Sequence, residues 1–414
     1  MDIDMLTILF TLVDLVFLAA VFKVAGGRSI IFLSALLQAM FYMPILFLVN
    51  LSNDLELKFL VIHQAFFLTF LSFCLLFKVL YHCKPFSAPI MIPEPRHRMS
   101  WSVFIFFASI IITILYYVAQ GGLIYSKIAF TDDIAGARLS YYATLDGGAG
   151  YVNQFKNILM PVTAAVIFLN LDKRFRIIFA VTTFPVLVLL MTGTGQRFPL
   201  AFAFLFFAFA YTILKGVSVS SRVIVRLALA LFIFIAIFGF LSDLQGRSDA
   251  GYTKAFSHIL ERVLLLNQTG NLLTFNYLDT RGFVWGSDWI QDIIGISPFA
   301  KPSSIGNELF SVLWGSLRGN SAPSLATSVY YNFYIPGLIV VPAAMAYSLV
   351  FIAKKIEGKC AMPSKFLALV FMGMTMGGWV SGGILSPLNT GLITMIIFMI
   401  NVRFVLRRHN RAFG

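Results

Sequence analysis

Apolar residues dominate the chain in eleven runs that are separated by shorter polar segments. Each run is long enough, or nearly so, to cross a hydrocarbon core of about 30 Å as an α-helix. The runs lack the polar and apolar alternation of a barrel strand, and an isolated strand cannot satisfy its backbone groups in lipid. The pattern therefore predicts eleven transmembrane helices, at residues 5–22, 30–49, 59–77, 101–118, 155–171, 177–191, 198–214, 223–241, 329–353, 366–380 and 388–405.

The composition agrees with an integral membrane protein. Hydrophobic residues make up 59% of the chain and charged residues only 12%. So little polar surface cannot cover a water-soluble domain of 414 residues. We therefore expect an all-α polytopic membrane protein in which residues 1–414 form a single integral membrane domain.

Basic residues collect in alternate connections between the predicted helices. These connections hold 20 of the 31 lysines and arginines but only three acidic residues. Because cytoplasmic loops are rich in lysine and arginine, the pattern predicts an outer N-terminus and a cytoplasmic C-terminal tail. The net charge of +13 therefore reflects membrane topology and does not indicate a nucleic-acid partner. The start of the chain lacks the basic segment and small-residue cleavage site of a secretory signal, so we expect no cleaved signal peptide.

Two connections on the predicted outer side are large, namely residues 119–154 and 243–327. In the second, apolar residues recur at helical spacing over residues 254–277 and predict an amphipathic helix. His258 and Arg262 are four positions apart and share one face of that helix. That face is either a solvated polar stripe or part of a catalytic site.

The rest of the second outer connection reads as a loop with a short helix over residues 282–302. It carries Trp285 and Trp289. Tryptophan is common both at membrane interfaces and as a stacking platform for sugars, so either role fits these two residues.

The arginines on the predicted outer side are a second indication of a functional site, besides the long outer connection. The positive-inside bias should deplete arginine there, and arginines retained against it are expected to bind an anion. The sharpest example is Arg197, which follows the Thr192-Gly193-Thr194-Gly195-Gln196 turn between two predicted helices. The alternative for Arg197 is a side chain that snorkels at a helix end. The outer arginines are Arg138, Arg197, Arg247, Arg262, Arg281 and Arg318.

An anion at the outer surface of a bilayer, beside aromatic loops, suggests a lipid diphosphate that carries a sugar. A guanidinium group can pair with phosphate through two parallel hydrogen bonds. Such groups can also stabilise the charge of a diphosphate leaving group, which is the role of Mg²⁺ in other enzymes. We therefore expect no metal and no other cofactor.

The sequence gives weaker support to a metal site than to an anion site formed by arginines. Asp54-Leu55-Glu56 has the acid-x-acid form used by metal-dependent enzymes that transfer sugars from lipids, but it lies on a short outer connection. Asp132 and Asp133 are adjacent and would diverge on a helix, and the five histidines are too scattered for ligand spacing. The chain has no phosphate-binding loop of the Gly-x-x-x-x-Gly-Lys-Ser/Thr type, which argues against nucleotide-driven transport.

Four sequence features together resemble the O-antigen or oligosaccharide repeat-unit polymerases, the Wzy family. They are the eleven predicted helices with two large outer loops and three motifs spread along most of the chain. The motifs are Arg138-Leu139-Ser140-Tyr141-Tyr142 followed by Gly147-Gly148-Ala149-Gly150-Tyr151, the Arg197 turn, and Arg318-Gly319-Asn320-Ser321-Ala322-Pro323-Ser324 leading to Tyr330-Tyr331-Asn332-Phe333-Tyr334-Ile335-Pro336-Gly337.

The resemblance implies a multi-pass protein of the bacterial inner membrane whose active site faces the periplasm. Its fold would be GT-C-like, and it would act as a metal-independent glycosyltransferase. The growing glycan, held on undecaprenyl diphosphate, would be transferred onto a newly arrived repeat unit that is linked to the same lipid. Partners would be these lipid-linked oligosaccharides, the lipid bilayer and a chain-length regulator protein.

The resemblance also suggests roles for the phosphate-binding residues. Arg197 and Arg281 would bind the diphosphate of the donor. Arg138, Arg247 and Arg318 would hold the second lipid diphosphate or the charge that develops during transfer.

The acceptor hydroxyl needs a general base. His258 is the preferred base because it is the only histidine of the long outer loop and has an ordinary pKa of about 6.5. Asp249 and Glu261 are the reserves. Tyr330 and Tyr331, in the motif after the second outer loop, are assigned to substrate binding.

Two other functions fit the same pattern. An O-antigen ligase shares the membrane plan and the outer arginines but passes the glycan to lipid A. A lipid-oligosaccharide flippase or other secondary transporter usually has internal repeats and charged residues inside its helices. Here the sequence shows no repeat, and Asp14 is the only acidic residue well inside a predicted helix.

Overall fold

The computed structural model describes residues 3–81, 87–128, 149–194, 198–215, 267–295, 305–314, 323–357 and 361–412. In these ranges the regular elements are helices, and bridges of the β type are limited to the isolated pairs Met91–Ala361 and Ser324–Ser381. The α1 helix spans Ile3–Ala25, α2 Ile30–Tyr42, α3 Asp54–Leu80, α4 Arg96–Ala119, α5 Ile124–Ile128, α6 Ala149–Gln154, α7 Met160–Asn170, α8 Lys173–Thr192, α9 Phe198–Lys215, α10 Asn267–Arg281, α11 Ser287–Ile294, α12 Ile305–Trp314, α13 Leu325–Ile356, α14 Pro363–Gly377, α15 Leu385–Asn389 and α16 Leu392–Ala412.

Two short turns of different pitch extend these helices. A 3₁₀ turn, Met43–Phe47, continues α2, and a π turn, Phe155–Leu159, joins α6 to α7. Within the described ranges, seven helical segments are long and apolar enough to cross a membrane: Met5–Ala25, Ile30–Phe47, Asp54–Leu80, Arg96–Lys127, Gly150–Asn170, Lys173–Thr192 and Leu325–Ile356.

The chain is therefore an all-α, multi-pass membrane protein, as the hydrophobic pattern predicts. Ten of the eleven predicted runs overlap a described helix, and the run at 223–241 lies outside the described residues. Two of the overlapping helices, Pro199–Leu214 and Leu392–Val402, are apolar but shorter than a full span. The number of eleven spans thus stays a prediction.

The chain divides into two compact units. Unit 1 comprises Met1–Ser87, Ile259–Glu357 and Gly373–Leu388, and unit 2 comprises Ala88–His258, Gly358–Met372 and Asn389–Gly414.

Unit 1 is built around α3 and α13, which lie side by side and run in the same direction. His63 near the start of α3 lies 2.5 Å from the hydroxyl oxygen of Ser324, the N-cap of α13. At the other ends, Lys78 pairs with Glu357 at 3.2 Å. The fully buried rings of α3 are Phe59, Phe66, Phe67 and Phe70, and Tyr42 at the end of α2 packs against Phe66 and Phe67.

The α3 helix begins earlier than its apolar run because polar residues cap it. The side chain of Asn53 accepts a hydrogen bond from the backbone N–H of Leu55. Glu56 reaches back to the Asn53 amide and to the backbone N–H of Asn50. The Asn53 cap satisfies one N–H group of the first turn, and Glu56 holds Asn53 and the preceding turn in place, so the helix starts at Asp54.

The α13 helix is interrupted by a kink near its middle. Tyr334 has φ 53° and ψ −148°, outside the helical region. Two residues later Pro336 has no N–H to donate to the carbonyl of Asn332, and its ring disfavours a helical conformation for Ile335. A Cβ on Gly337 would lie 2.6 Å from the Cβ of Phe333, so the close approach at the kink requires glycine there.

Unit 2 has its own core between α4, α7, α8 and α9. Its buried members include Phe106, Tyr117, Met160, Leu190 and Ala203. Helices α7 and α8 are antiparallel neighbours because only Leu171 and Asp172 separate them, and Arg176 donates to the carbonyl of Leu171 at 2.7 Å.

Candidate functional site

The candidate site lies in unit 1, where the N-terminal parts of α3 and α13 meet the end of α10. The loop that follows α10 turns sharply, with positive φ at Gly282 (90°), Trp285 (50°) and Gly286 (84°). A positive φ is unfavourable for a bulky residue such as tryptophan. The loop is held in place by a hydrogen bond of 3.0 Å from the Val284 N–H to the Tyr331 carbonyl.

An ion pair connects α3 to α10 at this site. The ammonium group of Lys58 donates to Oδ1 of Asp279, and the hydroxyl of Tyr331 donates to the same oxygen at 2.7 Å. Lys58 Nζ also lies 5.7 Å from the ring centre of Tyr330, within the range of a cation–π contact. Three segments that are distant in sequence therefore converge on one carboxylate.

The charge state of Asp279 follows from these contacts. Partial burial alone would raise the pKa of its carboxyl group. Hydrogen bonds from Lys58 and Tyr331, together with the charge of Lys58, outweigh burial and hold the pKa of Asp279 below its usual value. Asp279 is therefore ionised at neutral pH.

A second ion pair lies at the end of α10. Arg281 Nη1 donates to Oε2 of Glu308, and the hydroxyl of Tyr277 donates to Oε1 of the same carboxylate at 2.8 Å. The side chains of Arg281 and Glu308 are 39% and 36% exposed. An anion that binds Arg281 must therefore share the guanidinium group with Glu308.

A cavity of about 280 Å³ opens beside this second pair. Its lining combines one guanidinium group, two carboxylates, one hydroxyl and one amide with two aliphatic side chains. Such a wall offers donors and acceptors to a polar, hydroxyl-rich ligand. The lining residues are Arg281, Val284, Ser287, Asp288, Gln291, Ile305 and Glu308.

Two buried carboxylates lie on one face of α11, a turn apart. Asp288 accepts from the Ile305 N–H at 2.9 Å, and Asp292 accepts from the Leu385 N–H at 3.3 Å. Burial is the main cause that raises the pKa of Asp288 above its usual value. Burial, with the charge of Asp288 added, raises the pKa of Asp292 to about 6. Of the two, only Asp288 lines the cavity.

Aromatic rings form a wall beside the Lys58 pair. The ring of Phe283 lies between 5.0 and 5.5 Å from the rings of Trp285, Tyr330, Tyr331 and Tyr334. Trp285 is 71% exposed, so one face of the wall remains open to a ligand or to lipid.

The two tryptophans of the second outer loop differ in their surroundings. Trp289 donates to the hydroxyl of Ser328 at 3.0 Å, and its ring packs at 4.9 Å from Phe333 and 5.8 Å from Trp379. Trp289 is therefore a packing residue of unit 1. Trp285 keeps both roles open, as an interfacial anchor or as a stacking platform.

Three of the predicted site residues, Arg281, Tyr330 and Tyr331, lie in unit 1, where Arg281 pairs with Glu308 at the end of α10. Tyr331 is buried against Asp279, and Tyr330 lies next to Lys58. The short helix predicted within 282–302 is confirmed as α11. The other predicted site residues lie outside the described residues, namely Arg138, Arg197, Arg247, Arg318, His258, Asp249 and Glu261.

Sequence reasoning missed Lys58, Asp279, Asp288 and Glu308. For Lys58 a signal exists, because it is a basic residue in a predicted outer connection, like the outer arginines. The carboxylates carry no such local signal, since acidic residues are ordinary in outer loops. Glu56, weighed above as a metal ligand, is engaged in capping α3. Among the described residues no group of three or more His, Cys, Asp or Glu is placed to hold a metal ion.

Comparisons with protein-family models, with curated proteins and with solved structures find no match to this chain. A functional assignment therefore rests on the sequence pattern and on the geometry of the site.

Proposed function

We propose that this chain is a glycosyltransferase that polymerises oligosaccharide repeat units linked to undecaprenyl diphosphate at the periplasmic face of a bacterial inner membrane. The acceptor hydroxyl oxygen attacks the anomeric carbon of the growing glycan. The bond from that carbon to the diphosphate oxygen breaks, and undecaprenyl diphosphate leaves with the bonding electrons. The proton of the hydroxyl group passes to a general base.

The cavity beside Arg281 is the observation that carries the proposal. Its guanidinium, carboxylate, hydroxyl and amide groups suit the hydroxyl groups of a sugar, and the aromatic wall around Phe283 provides a stacking surface nearby. The wall includes Tyr330 and Tyr331, which lie near the start of the long apolar helix α13, where the sugar of a lipid-linked substrate would meet water. A water-soluble sugar-binding protein would not need a sugar site at the end of a membrane-spanning helix.

Asp288 is the general base that this cavity offers. Its carboxylate lines the cavity, is 7% exposed and keeps a fixed orientation through the Ile305 N–H. Burial raises the pKa of Asp288, and a carboxylate with a raised pKa is a better proton acceptor near neutral pH. His258 is the competing base from the sequence pattern.

The diphosphate groups are assigned on the sequence pattern to Arg138, Arg197, Arg247 and Arg318. Arg281 contributes less charge than expected from sequence, because Glu308 neutralises it. Within the cavity Arg281 is better suited to donate hydrogen bonds to a sugar than to hold a diphosphate alone.

Deletion of the gene tests the proposal in cells. Cells without it should carry a single repeat unit on their surface glycan where the parent carries a ladder of lengths. Purified protein supplied with labelled repeat-unit lipid, and no lipid A, should produce that ladder. Product only when lipid A is added would identify a ligase, and an unchanged ladder in the deletion strain would refute the proposal.

A secondary transporter is the second candidate, and one observation favours it. Asp14 is fully buried within the span Met5–Ala25, beside the amide of Gln64, whose nitrogen lies 3.1 Å from Oδ1 once the amide is oriented to satisfy both groups. Buried carboxylates inside membrane helices often mark proton or ion pathways. Proton-dependent translocation of lipid-linked oligosaccharide into vesicles that is lost in Asp14→Asn would favour this function, whereas a normal ladder in Asp14→Asn would exclude a coupling role.

A further inference from the structure

A second cavity, with a volume of about 300 Å³, lies within unit 2. This volume is at the lower end of the range for ligand pockets, about 300–1,000 Å³. Helices α4 and α14 contribute two cationic side chains and one hydroxyl group to its lining, and α16 contributes three apolar side chains. The lining residues are Arg98, Ser364, Lys365, Phe398, Met399 and Val402.

The polar part of the lining is held together by the segments that lead into α4 and α14. The Ile92 N–H donates to the Ala361 carbonyl at 3.0 Å, and the Ala361 N–H donates to the Ile90 carbonyl at 2.9 Å. Just before α4, the carboxylate of Glu94 accepts from the backbone N–H of Ser364 at 2.7 Å. The first turn of α14 is therefore fixed beside the start of α4.

Two buried donors of this cavity have no protein acceptor. Arg98 is 7% exposed and Ser364 is 1% exposed. Nε of Arg98 and Oγ of Ser364 have no hydrogen-bond partner among the residues that the structure describes. A buried donor without a partner is unfavourable. Because both residues line the cavity, a ligand with acceptor oxygens can satisfy them there.

The charges beside the cavity favour an anion. Nη1 of Arg98 lies 2.6 Å from Sδ of Met362, which is a weak acceptor, and 3.8 Å from Oε2 of Glu94, beyond the range of a hydrogen bond. Lys365 is exposed and belongs to none of the ion pairs that the described residues form. Two cations are thus opposed by the single carboxylate of Glu94.

A phosphate group matches these donors. A guanidinium group can give a phosphate two parallel hydrogen bonds, and a hydroxyl and an ammonium group can each give one more. Ser364 and Lys365 also lie in the first turn of α14, a helix of 15 residues. The dipole of that helix adds a further attraction for negative charge.

The apolar part of the lining indicates that this phosphate belongs to a lipid. Phe398 and Val402 are buried, and Met399 is partly buried. Ile396 and Ile400, next to them on α16, are 40% and 59% exposed and continue the apolar surface outside the cavity. Acyl chains would cover this surface, whereas a soluble phosphate ester would leave it bare.

The predicted topology places the cavity on the cytoplasmic side of the membrane. The basic residues at the starts of α4 and α14 belong to the predicted cytoplasmic connections, and the end of α16 leads into the cytoplasmic tail. The cytoplasmic leaflet carries anionic lipids, and basic pockets between membrane helices on this side bind their head groups.

We propose that this cavity binds the phosphate group of an anionic phospholipid of the cytoplasmic leaflet. Arg98 pairs with the phosphate, Ser364 and Lys365 donate to it, and the acyl chains lie along α16. Topology alone accounts for the positive charge of Arg98 and Lys365, and the cavity gives both cations a ligand. The inference does not depend on the proposed glycosyltransferase function.

The test measures lipid binding to the full chain, purified free of lipid in a non-ionic detergent. Native mass spectrometry counts the bound molecules, and the midpoint of thermal unfolding reports stabilisation by the ligand. Phosphatidylglycerol should bind several-fold more tightly than phosphatidylcholine with the same acyl chains and should raise the midpoint more. Glycerol 3-phosphate should give a smaller rise, since it lacks the chains. Equal binding of the two lipids, or an equal rise with glycerol 3-phosphate, would overturn the proposal.

Two mild substitutions test the site itself. Ser364→Ala keeps the backbone N–H that donates to Glu94 and removes a hydroxyl without a protein partner, so its lipid-free midpoint should equal or exceed that of the wild type. Lys365→Met removes an exposed cation. Each should weaken phosphatidylglycerol binding several-fold, and unchanged binding in both variants would refute the site. Arg98→Lys keeps the charge but loses the planar fork, so it should also bind more weakly.

Lys173→Met is the matched control. It removes an exposed lysine at the start of α8, which is also in a predicted cytoplasmic connection of unit 2. Its affinity for phosphatidylglycerol should equal that of the wild type. A loss in Lys173→Met as large as that in Lys365→Met would show that the lipid responds to surface charge in general, and the proposal of a built site would fail.

Discussion

Lys58 and Asp279 are 221 positions apart in the chain and form an ion pair that joins the N-terminal part of α3 to the last turn of α10. Tyr331 of α13 completes the contact by donating to the same carboxylate oxygen. The side chains of Lys58 and Asp279 are 41% and 30% exposed. An ion pair this exposed adds little to stability, and its contacts hold Lys58 beside the ring of Tyr330 in the aromatic wall.

Removal of the Lys58 charge should affect activity more than folding. We expect Lys58→Met to lower the rate of polymerisation, because Asp279 and Tyr331 lose the cation that fixes their positions. A double-mutant cycle with Asp279→Asn should give a coupling energy of stability no larger than about 1 kcal/mol. The control is Lys23→Met, an exposed lysine near the end of α1. Full activity in Lys58→Met would show that the Lys58–Asp279 ion pair has only a structural role.

Substitution of Asp288 tests the general base. Asp288→Asn keeps the oxygen that accepts from Ile305 but removes the basic group, so transfer should slow by roughly 10²- to 10⁴-fold. Binding of the acceptor lipid should change little, because the shape of the cavity is preserved. Turnover and acceptor binding are measured separately on the purified protein. Normal turnover in Asp288→Asn together with an inactive His258→Ala would assign the base to His258.

The pKa of Asp292 predicts a pH dependence of stability. Burial raises the pKa of Asp292 to about 6 in the folded protein, whereas the unfolded chain has the ordinary value of about 3.9. As pH rises through this interval, the unfolded state loses its proton first, so the folded state becomes relatively less stable. The thermal midpoint should therefore fall between pH 4 and pH 6.5 or so, and Asp292→Asn should weaken that fall.

The control for this pH profile is Asp54→Asn, which alters an exposed carboxylate in the first turn of α3. Its profile should follow the wild type. The contribution of Asp279 to stability has the opposite pH dependence to that of Asp292, and it changes at lower pH. The pKa of Asp279 is lowered, so its contribution is present above the unfolded value and is lost as pH falls below it. An Asp292→Asn profile identical to the wild type would contradict the buried state of this carboxyl group.

The predicted orientation can be tested with introduced cysteines in a background without Cys74, Cys83 and Cys360. Ser126→Cys and Ser303→Cys should react with an impermeant thiol reagent in intact spheroplasts, because basic residues favour the other side. Ser100→Cys, exposed near the start of α4, should react only after lysis. The reverse labelling pattern would show that the orientation is opposite to the predicted one and that the candidate site faces the cytoplasm.

Removal of divalent metal should leave activity unchanged if arginines stabilise the leaving diphosphate. Purified protein should extend repeat-unit lipid at its normal rate in excess EDTA. Loss of activity that Mg²⁺ or Mn²⁺ restores would instead return Asp54 and Glu56 to consideration as ligands. Asp54→Asn and Glu56→Gln in the presence of metal would then identify the ligand.

The sequence alone determined the class of the protein and the positions of most helices. A run of about 20 apolar residues must be helical in lipid because its backbone has no other way to satisfy its hydrogen bonds. This local requirement explains why the runs at 5–22 and 59–77 reappear in α1 and α3. Capping by Asn53 and Glu56 extends α3 beyond its apolar run, and that too could be read from local sequence.

Only the tertiary structure decided which polar groups meet. The pairing of Lys58 with Asp279, the cavity between Arg281 and Asp288, and the contact of Lys156 with Thr194 all join residues of separate elements. Helix packing sets these contacts. Hydropathy does not predict packing, because an apolar helix face is solvated about equally well by lipid and by another helix. For the same reason the sequence predicted an outer position for Arg281 but could not show that a carboxylate, Glu308, would neutralise it.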